Sequence, residues 1–208
     1  MTRTDIAESL FATALLALAG LLLLSSGVFA AESFTSAYTK FDSDKCAHKA
    51  GSEEEDYGSW RCPGYRGIPV LLSAGDQRMF VTFGTSATDD LAEGQTFPAF
   101  NSAYEGTVEW RVAAGETRPF AAILQWHVMV AADESTQGEG KPVSGRVLVV
   151  TRLGKDGICH VGYVDVGANA GQANALARQI ADEQARRFRC GTDKAQALGA
   201  VTPGLAMP

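Results

Sequence analysis

Four cysteines lie downstream of an apolar N-terminal segment, and this arrangement limits the possible folds more than any other feature of the chain. The cysteines are Cys46, Cys62, Cys159 and Cys190, and none lies within the apolar segment. An even number of cysteines behind an export leader predicts two disulfides that form outside the cytoplasm. Chemistry that needs free thiolates or a cytosolic cofactor is therefore not expected, and we predict no cofactor.

The first 30 residues have the pattern of a signal peptide. Their strongly apolar part runs from Leu10 to Leu24, which is shorter than the roughly 20 residues that a membrane-spanning helix needs. Val28 and Ala30 occupy the two positions at which a cleavage site before Ala31 is recognised. We therefore predict that residues 1–30 are a cleaved signal peptide and that the mature protein is periplasmic or secreted. The alternative is an uncleaved leader that anchors the protein in the membrane.

Residues 31–208 have the length of one domain. We assign residues 31–192 to this domain and residues 193–208 to a flexible C-terminal tail, because the tail is rich in small residues and contains two prolines. The chain has a formal net charge of −6 and no run of basic residues, so nucleic acid is not an expected partner. We expect an unidentified protein or small-molecule partner, and a membrane only if the leader is retained.

The body of the chain alternates apolar and polar residues with the period of two that is typical of strands. The clearest case is the segment from Gly106 to Val112, in which Val108, Trp110 and Val112 share one face. This pattern predicts an α+β fold with an antiparallel sheet of about five to seven strands. The predicted strands are residues 36–42, 67–72, 77–83, 106–112, 120–131, 146–152 and 158–166. Turns at residues 73–76 and 153–157 are expected to close two hairpins.

From Asn169 the apolar period changes, and the new period predicts one long amphipathic helix that ends near Cys190 and packs across the sheet. Asn169 is the expected N-cap of this helix. The strand that starts at Cys159 runs about 23 Å forward and the helix returns about 30 Å, so Cys190 is expected beside Cys159. Of the three connectivities that four cysteines allow, this argument favours the one that also pairs Cys46 with Cys62.

The candidate binding surface is an aromatic and arginine-rich segment around Cys62. Its residues are Tyr57, Trp60, Arg61, Tyr65 and Arg66, which are of the types that anchor protein interfaces. The alternative is that Trp60 and Tyr65 simply cover one end of the core. We therefore predict an exported, non-catalytic binding or interaction protein of the cell envelope.

The competing interpretation is an extracytoplasmic hydrolase that uses His127 with a carboxylate such as Asp165. His127 lies on a predicted central strand, and it could act as a general base if the fold placed a carboxylate within hydrogen-bonding distance. Cys159 and His160 are adjacent, but neighbouring residues of a strand point to opposite faces and cannot form a nucleophile–base pair. The sequence contains none of the common hydrolase motifs, so the non-catalytic interpretation is preferred.

Metal binding is not expected either, because the three histidines are dispersed along the chain. The acidic run from Glu53 to Asp56, together with Asp42 and Asp44, lacks the fixed spacing of a calcium-binding loop. This run predicts a solvated loop. Asp76 and Arg78 are expected to form a salt bridge that stabilises a turn.

Overall fold

Two sheets and a short helix make up the protein in the computed structural model. The structure describes residues 32–51, 58–84, 89–130 and 143–208, apart from the side chains of Val130 and Val143. The predicted signal peptide, the acidic run from Glu53 to Asp56, and Tyr57 lie outside the described residues. Ser33–Pro208 forms one compact unit.

The secondary structure is dominated by strands. In chain order they are β1 (Phe34–Asp42), β2 (Ala47–Ala50), β3 (Gly58–Cys62), β4 (Val70–Gly75), β5 (Arg78–Phe83), β6 (Asn101–Ser102), β7 (Glu105–Ala113), β8 (Ala121–Val130), β9 (Val143–Leu153), β10 (Ile158–Asp165) and β11 (Gln196–Ala197). The helix α1 (Ala173–Ile180) continues into a π-helical turn (Ala181–Ala185). Short 3-10 helical turns are formed by Ser43–Lys45, Tyr65–Gly67 and Ala92–Gly94.

The main sheet has the strand order β1-β7-β8-β9-β10-β11, and β6 also pairs with β8. Its described strand pairs are antiparallel except for β10 with β11, which are parallel. The sheet is therefore mixed, and the prediction of an antiparallel sheet is only partly right. The parallel pair forms because the chain passes through the helix after β10 and then returns to the same sheet in the same direction.

A second, four-stranded sheet contains β2, β3, β4 and β5 in that order. The sequence pattern predicts its β4–β5 hairpin but not β2 or β3, because the segment from Lys45 to Arg61 is too polar to suggest a core strand. In the structure β2 is exposed along its whole length. Its polar composition is that of an edge strand with no buried face.

The two sheets pack face to face on a shared apolar core. Trp110 of β7 and Trp126 of β8 are fully buried in it. The Phe83 ring of β5 meets the Trp110 ring edge-on, with 5.2 Å between ring centroids, which is a favourable aromatic geometry. These contacts hold one face of the second sheet against the main sheet and leave its other face outermost.

The helix packs on the opposite face of the main sheet, against β8, β9 and β10. Beside this apolar contact lie two ion pairs to β7. Arg111 donates two hydrogen bonds to Asp182, at 2.9 and 2.6 Å, and Arg178 donates to Glu109 at 2.6 Å. The alternation in β7 places Glu109 and Arg111 on its polar face, and the helix buries that face because it supplies charges of opposite sign.

The helix is shorter than the sequence pattern predicts. The apolar period extends from Asn169 to Cys190, but α1 contains eight residues before the π-helical turn begins. Gly171 has a φ of 81°, which interrupts the helical path. Asn169 is not the N-cap, because its side chain bonds both backbone groups of Ala200, at 2.7 and 3.0 Å. No helix within the described ranges is long and apolar enough to cross a membrane.

Residues 193–208, for which the composition predicts a flexible tail, make defined contacts. β11 pairs with β10 at Gly162, and Leu205 is buried in the core between the sheets. A Cβ atom at Gly162 would lie 2.8 Å from the Gln196 carbonyl oxygen and 3.1 Å from the Ile180 side chain. Glycine is therefore required where the strand, the C-terminal segment and the helix meet.

Both disulfides have the pairing that the reach argument favours. Cys159 and Cys190 join β10 to the end of the helical segment, and Cys46 and Cys62 join the start of β2 to β3. Structural disulfides form and persist in oxidising compartments. The two bonds therefore indicate an extracytoplasmic environment for the protein.

The turn of the β4–β5 hairpin lies later than predicted. Gly75 and Arg78 form the last strand pair, so the loop consists of Asp76 and Gln77. Both have positive φ, at 52° and 56°, which defines a two-residue turn of the type that favours Asn-Gly or Asp-Gly. The expected salt bridge is present, since an Arg78 guanidinium nitrogen lies 2.9 Å from the Asp76 carboxylate.

Replacing Gln77 by glycine is expected to raise the free energy of unfolding by about 1 kcal/mol, because glycine adopts the left-handed conformation without a Cβ clash. Urea denaturation followed by circular dichroism measures the change. The matched control is Gln179→Gly in α1, where the same substitution should cost about 1 kcal/mol. A loss of stability in Gln77→Gly would contradict the assignment of the turn.

Candidate functional site

An open groove of about 420 Å³ lies on the outer face of the four-stranded sheet. Successive residues of a strand point to opposite faces. In β4 and β5, Leu72 and Val81 enter the shared core, so their neighbours Leu71, Phe80 and Thr82 face outward. The groove is lined by Ala47, His48, Lys49, Ser59, Trp60, Arg61, Leu71, Leu72, Ser73, Phe80, Thr82, Asp90 and Glu93.

Strand register arranges the outward residues in two rows that cross the sheet. The first row, from β2 to β5, is Ala47, Arg61, Leu71 and Thr82. The second row is Lys49, Ser59, Ser73 and Phe80. Each row has a cationic residue on β2 or β3 and an apolar residue on β4 or β5. The groove floor is therefore positive on one side and apolar in the middle.

The far side of the groove carries two carboxylates. Asp90 and Glu93 belong to the segment that follows β5, and this segment is held to β10 by two backbone hydrogen bonds of 2.9 Å with Ile158. Thr82 donates its hydroxyl to the Asp90 carboxylate, with oxygen–oxygen distances of 2.8 and 2.7 Å. Asp90 is thus fixed at the end of the row that contains Arg61.

The charges on the two sides are not neutralised by one another. Within the part of the chain that the structure describes, the side chains of Lys49, Arg61 and Glu93 have no ion pair. Opposite charges that share a surface but do not pair attract a ligand that carries the complementary charges. Among the described residues, the groove therefore carries positive side chains on one side and negative side chains on the other.

A second cavity of about 280 Å³ adjoins the groove toward the tip of the β2–β3 hairpin. The two cavities share Lys49, Ser59, Ser73 and Phe80. They are therefore parts of one trough across the outer face of the sheet. Such concave surfaces with a few polar groups are typical of small-ligand sites.

The structure separates the residues of the predicted binding segment. Arg61 points into the groove, and Trp60 lies at its edge. The Trp60 ring is half-buried and stacks on His48 at 4.8 Å between centroids. Tyr65 packs near Trp110, and Arg66 donates a hydrogen bond to the Tyr65 hydroxyl at 3.0 Å. Neither Tyr65 nor Arg66 lines the groove.

Several groove residues are absent from the candidates that the sequence suggests. They are Lys49, Leu71, Phe80, Asp90 and Glu93. One feature of the sequence could have indicated the groove. Leu72 and Val81 make one face of the predicted hairpin apolar, and Leu71 and Phe80 make the other face apolar as well. In the structure this other face lines the groove. The contribution of Asp90 depends on a contact with β10, which no local pattern indicates.

The structure does not bring together the two residues of the hydrolase hypothesis. His127 is exposed and pairs in register with Arg146, whereas Asp165 is buried and pairs with Val147. Because Arg146 and Val147 are neighbours on β9, His127 and Asp165 point to opposite faces of the sheet.

The Asp165 carboxylate stabilises the fold through hydrogen bonds to the backbone. Its carboxylate accepts backbone hydrogen bonds from Gly167 and Ala168 at one oxygen and from Thr202 at the other, at 2.8, 3.1 and 2.7 Å. Burial raises the pKa of Asp165. The hydrogen bonds from Thr202, Ala168 and Gly167 together lower it by more than burial raises it, so the pKa lies below its usual range. The ionised carboxylate ties the C-terminal segment to the end of β10.

His160 is buried on the face of β10 opposite the disulfide. An irregularity between His160 and Gly162 places His160 and Tyr163 on one face, and the His160 Nδ1 lies 3.1 Å from the Tyr163 hydroxyl. The His160 Nε2 is buried without a hydrogen-bond partner among the described residues. Burial lowers the pKa of His160 to about 3, so its imidazole is neutral at neutral pH.

The described ranges contain no group of three or more metal-ligating side chains. Comparison of the chain with models of protein families, with curated proteins and with solved structures found no match. The chain is a two-disulfide α+β domain, mostly sheet, whose smaller sheet presents an open groove with separated charges.

Proposed function

We propose that this protein is a non-catalytic, extracytoplasmic binding protein of the periplasm or the secreted fraction. The groove on the outer face of the smaller sheet is its binding site. The ligand is a small, elongated molecule with an anionic group at one end and a cationic group at the other.

The observation that carries this proposal is the separation of charges across the groove. Arg61 and Lys49 lie on β3 and β2, and Asp90 and Glu93 lie beyond β5. A guanidinium group binds a carboxylate through two parallel hydrogen bonds. The groove volume of about 420 Å³ is within the range of small-ligand sites.

The burial of the Thr82 hydroxyl, which bonds the Asp90 carboxylate beside the groove, favours binding over catalysis. Thr82 donates its hydroxyl to Asp90, which is the arrangement of a nucleophile with a base. However, Thr82 is only 6% exposed, so a substrate has little access to the oxygen. The pair therefore supports a role in positioning the Asp90 carboxylate.

The proposal is tested with three linear probes of similar length that differ in charge: adipate, cadaverine and 6-aminohexanoate. Differential scanning fluorimetry and isothermal titration calorimetry are carried out on the full chain and on Arg61→Gln. We expect 6-aminohexanoate to bind and to raise the melting temperature most. Arg61→Gln should weaken this binding at least tenfold, because it removes the guanidinium that receives the carboxylate.

The matched control is Arg118→Gln, which makes the same change at an exposed position in the β7–β8 connection. It should leave 6-aminohexanoate binding unchanged. Failure of all three probes to bind would contradict the proposed site, as would binding that is equal in Arg61→Gln and the unmodified chain.

A further inference from the structure

We infer that the groove binds a short extended peptide of about three residues, and that the peptide binds in a single orientation. Its C-terminal carboxylate lies against Arg61 and Lys49, and its N-terminal ammonium group lies against Asp90 and Glu93. This inference rests on the proposed binding function and specifies the ligand class for the same groove.

The spacing of the strands that carry the two ends of the groove sets the length of the peptide. Arg61 is on β3 and Thr82 is on β5 of the same row, so two strand spacings separate them, which is about 10 Å. The Asp90 carboxylate is fixed on the Thr82 hydroxyl. An extended chain advances about 3.3 Å per residue, and three residues therefore match the separation, whereas one amino acid is too short.

The floor between the two charged ends matches the middle of an extended peptide. Leu71 lies between Arg61 and Thr82 in the first row, and Ser73 lies between Ser59 and Phe80 in the second. Leu71 and Phe80 supply an apolar surface for a side chain. The hydroxyls of Ser59 and Ser73 have no hydrogen-bond partner among the described residues and can bond the amide groups of the peptide.

The direction of the peptide follows from the signs of the charges. In the proposed direction each terminus meets two side chains of opposite charge. In the reverse direction the carboxylate would meet Asp90 and Glu93, and the ammonium group would meet Arg61 and Lys49. Like charges that face one another repel, so the reverse mode is disfavoured.

The two-sided charge also separates a peptide from other elongated ligands. A dicarboxylate or an oligonucleotide would place negative charge against Asp90 and Glu93. A polyamine would place positive charge against Arg61 and Lys49. A zwitterionic chain with an apolar middle is complementary to all three parts of the groove.

The inference is tested by calorimetry with the peptide Ala-Leu-Ala in three forms: with free termini, with an acetylated N-terminus, and with an amidated C-terminus. We expect the free peptide to bind and each cap to weaken binding at least tenfold, because each removes one terminal charge. Free alanine, which cannot reach both ends, should bind at least tenfold more weakly than the tripeptide.

Two variants assign each terminus to its end of the groove. In Arg61→Gln, the effect of amidation should shrink at least threefold, because only Lys49 still meets the carboxylate, while the effect of acetylation should persist. In Glu93→Gln, the effect of acetylation should shrink at least threefold, while the effect of amidation should persist. Arg118→Gln should respond to both caps as the unmodified chain does.

Cap effects that are the same in Arg61→Gln and the unmodified chain would overturn the inference, and so would the opposite assignment of the two caps. If Ala-Leu-Ala fails to bind while 6-aminohexanoate binds in an Arg61-dependent manner, the peptide inference is wrong and the proposed binding function stands. If neither binds, both are wrong.

Discussion

Replacement of Cys159 and Cys190 by alanine is expected to lower the free energy of unfolding by about 4 kcal/mol. The bond closes a loop with a sequence separation of 31 residues, and removing it gives the unfolded chain more conformational freedom. The same bond fastens the end of the helical segment to β10. The loss should therefore also weaken the packing of the helix on the main sheet.

Guanidinium denaturation followed by circular dichroism, under non-reducing conditions, measures this loss. The matched control is the double variant Cys46→Ala with Cys62→Ala, whose bond has a sequence separation of 16 residues. The shorter loop predicts a loss of about 3 kcal/mol. A loss below about 2 kcal/mol for the Cys159–Cys190 variant would contradict the assigned role of the bond.

The second large effect is a loss of stability in mild acid caused by His160. Burial lowers the pKa of this imidazole to about 3 in the folded protein, whereas an unfolded chain has a histidine pKa of about 6.5. Between these two values the unfolded state binds a proton that the folded state does not bind. Stability is therefore complete above pH 6.5 and falls as the pH decreases toward 3.

The expected slope is a loss of about 1.4 kcal/mol per pH unit below pH 6.5. Urea denaturation at pH 7.5, 6.0, 5.2 and 4.5 measures it. This range lies above the window of Asp165, whose pKa is below its usual value in the folded state. The stability that Asp165 contributes is lost only at lower pH, so the two effects are separable.

His160→Gln should abolish most of this slope, because the amide does not titrate. His127→Gln is the matched control, since His127 is exposed, and it should leave the slope unchanged. If His160→Gln and the unmodified chain lose stability in parallel between pH 6.5 and 4.5, the neutral, buried state assigned to His160 is wrong.

The elements that the sequence predicts correctly are those with a strong local pattern. The alternation around Trp110 predicts β7, and the apolar run at residues 120–131 predicts β8. The predicted disulfide pairing also agrees with the structure, because the forward length of β10 and the return of the helical segment depend on short-range geometry. These predictions need only the period of the sequence and the rise per residue.

The local pattern is a poor guide where a residue contacts a partner that is far away in the sequence. Asn169 has the side chain of an N-cap, but it bonds Ala200 instead, and the helix begins later. Residues 195–208 lack charge and periodicity, yet β11 pairs with β10. In both cases the partner is about 30 residues away in sequence, and local propensity carries no information about it.

The candidate site is the least predictable part of the protein. Arg61 is among the residues that the composition of its segment suggests, but its groove is formed by three further strands and by the segment that contains Asp90. Trp60 of the same segment lies at the edge of the groove, whereas Tyr65 lies near Trp110. Residue type alone therefore does not indicate which residues of this segment line the groove.

The sequence by itself determined most of the strands and the amphipathic character of the helical segment, and it favoured the disulfide pairs that form, because period and chain geometry are local properties. Only the tertiary structure decided which faces are covered. The helix buries Glu109 and Arg111 of β7, whereas the face of the smaller sheet that contains Leu71 and Phe80 stays open. The physical reason is that burial depends on the layer packed above a strand, and that layer is supplied by residues far away in the chain.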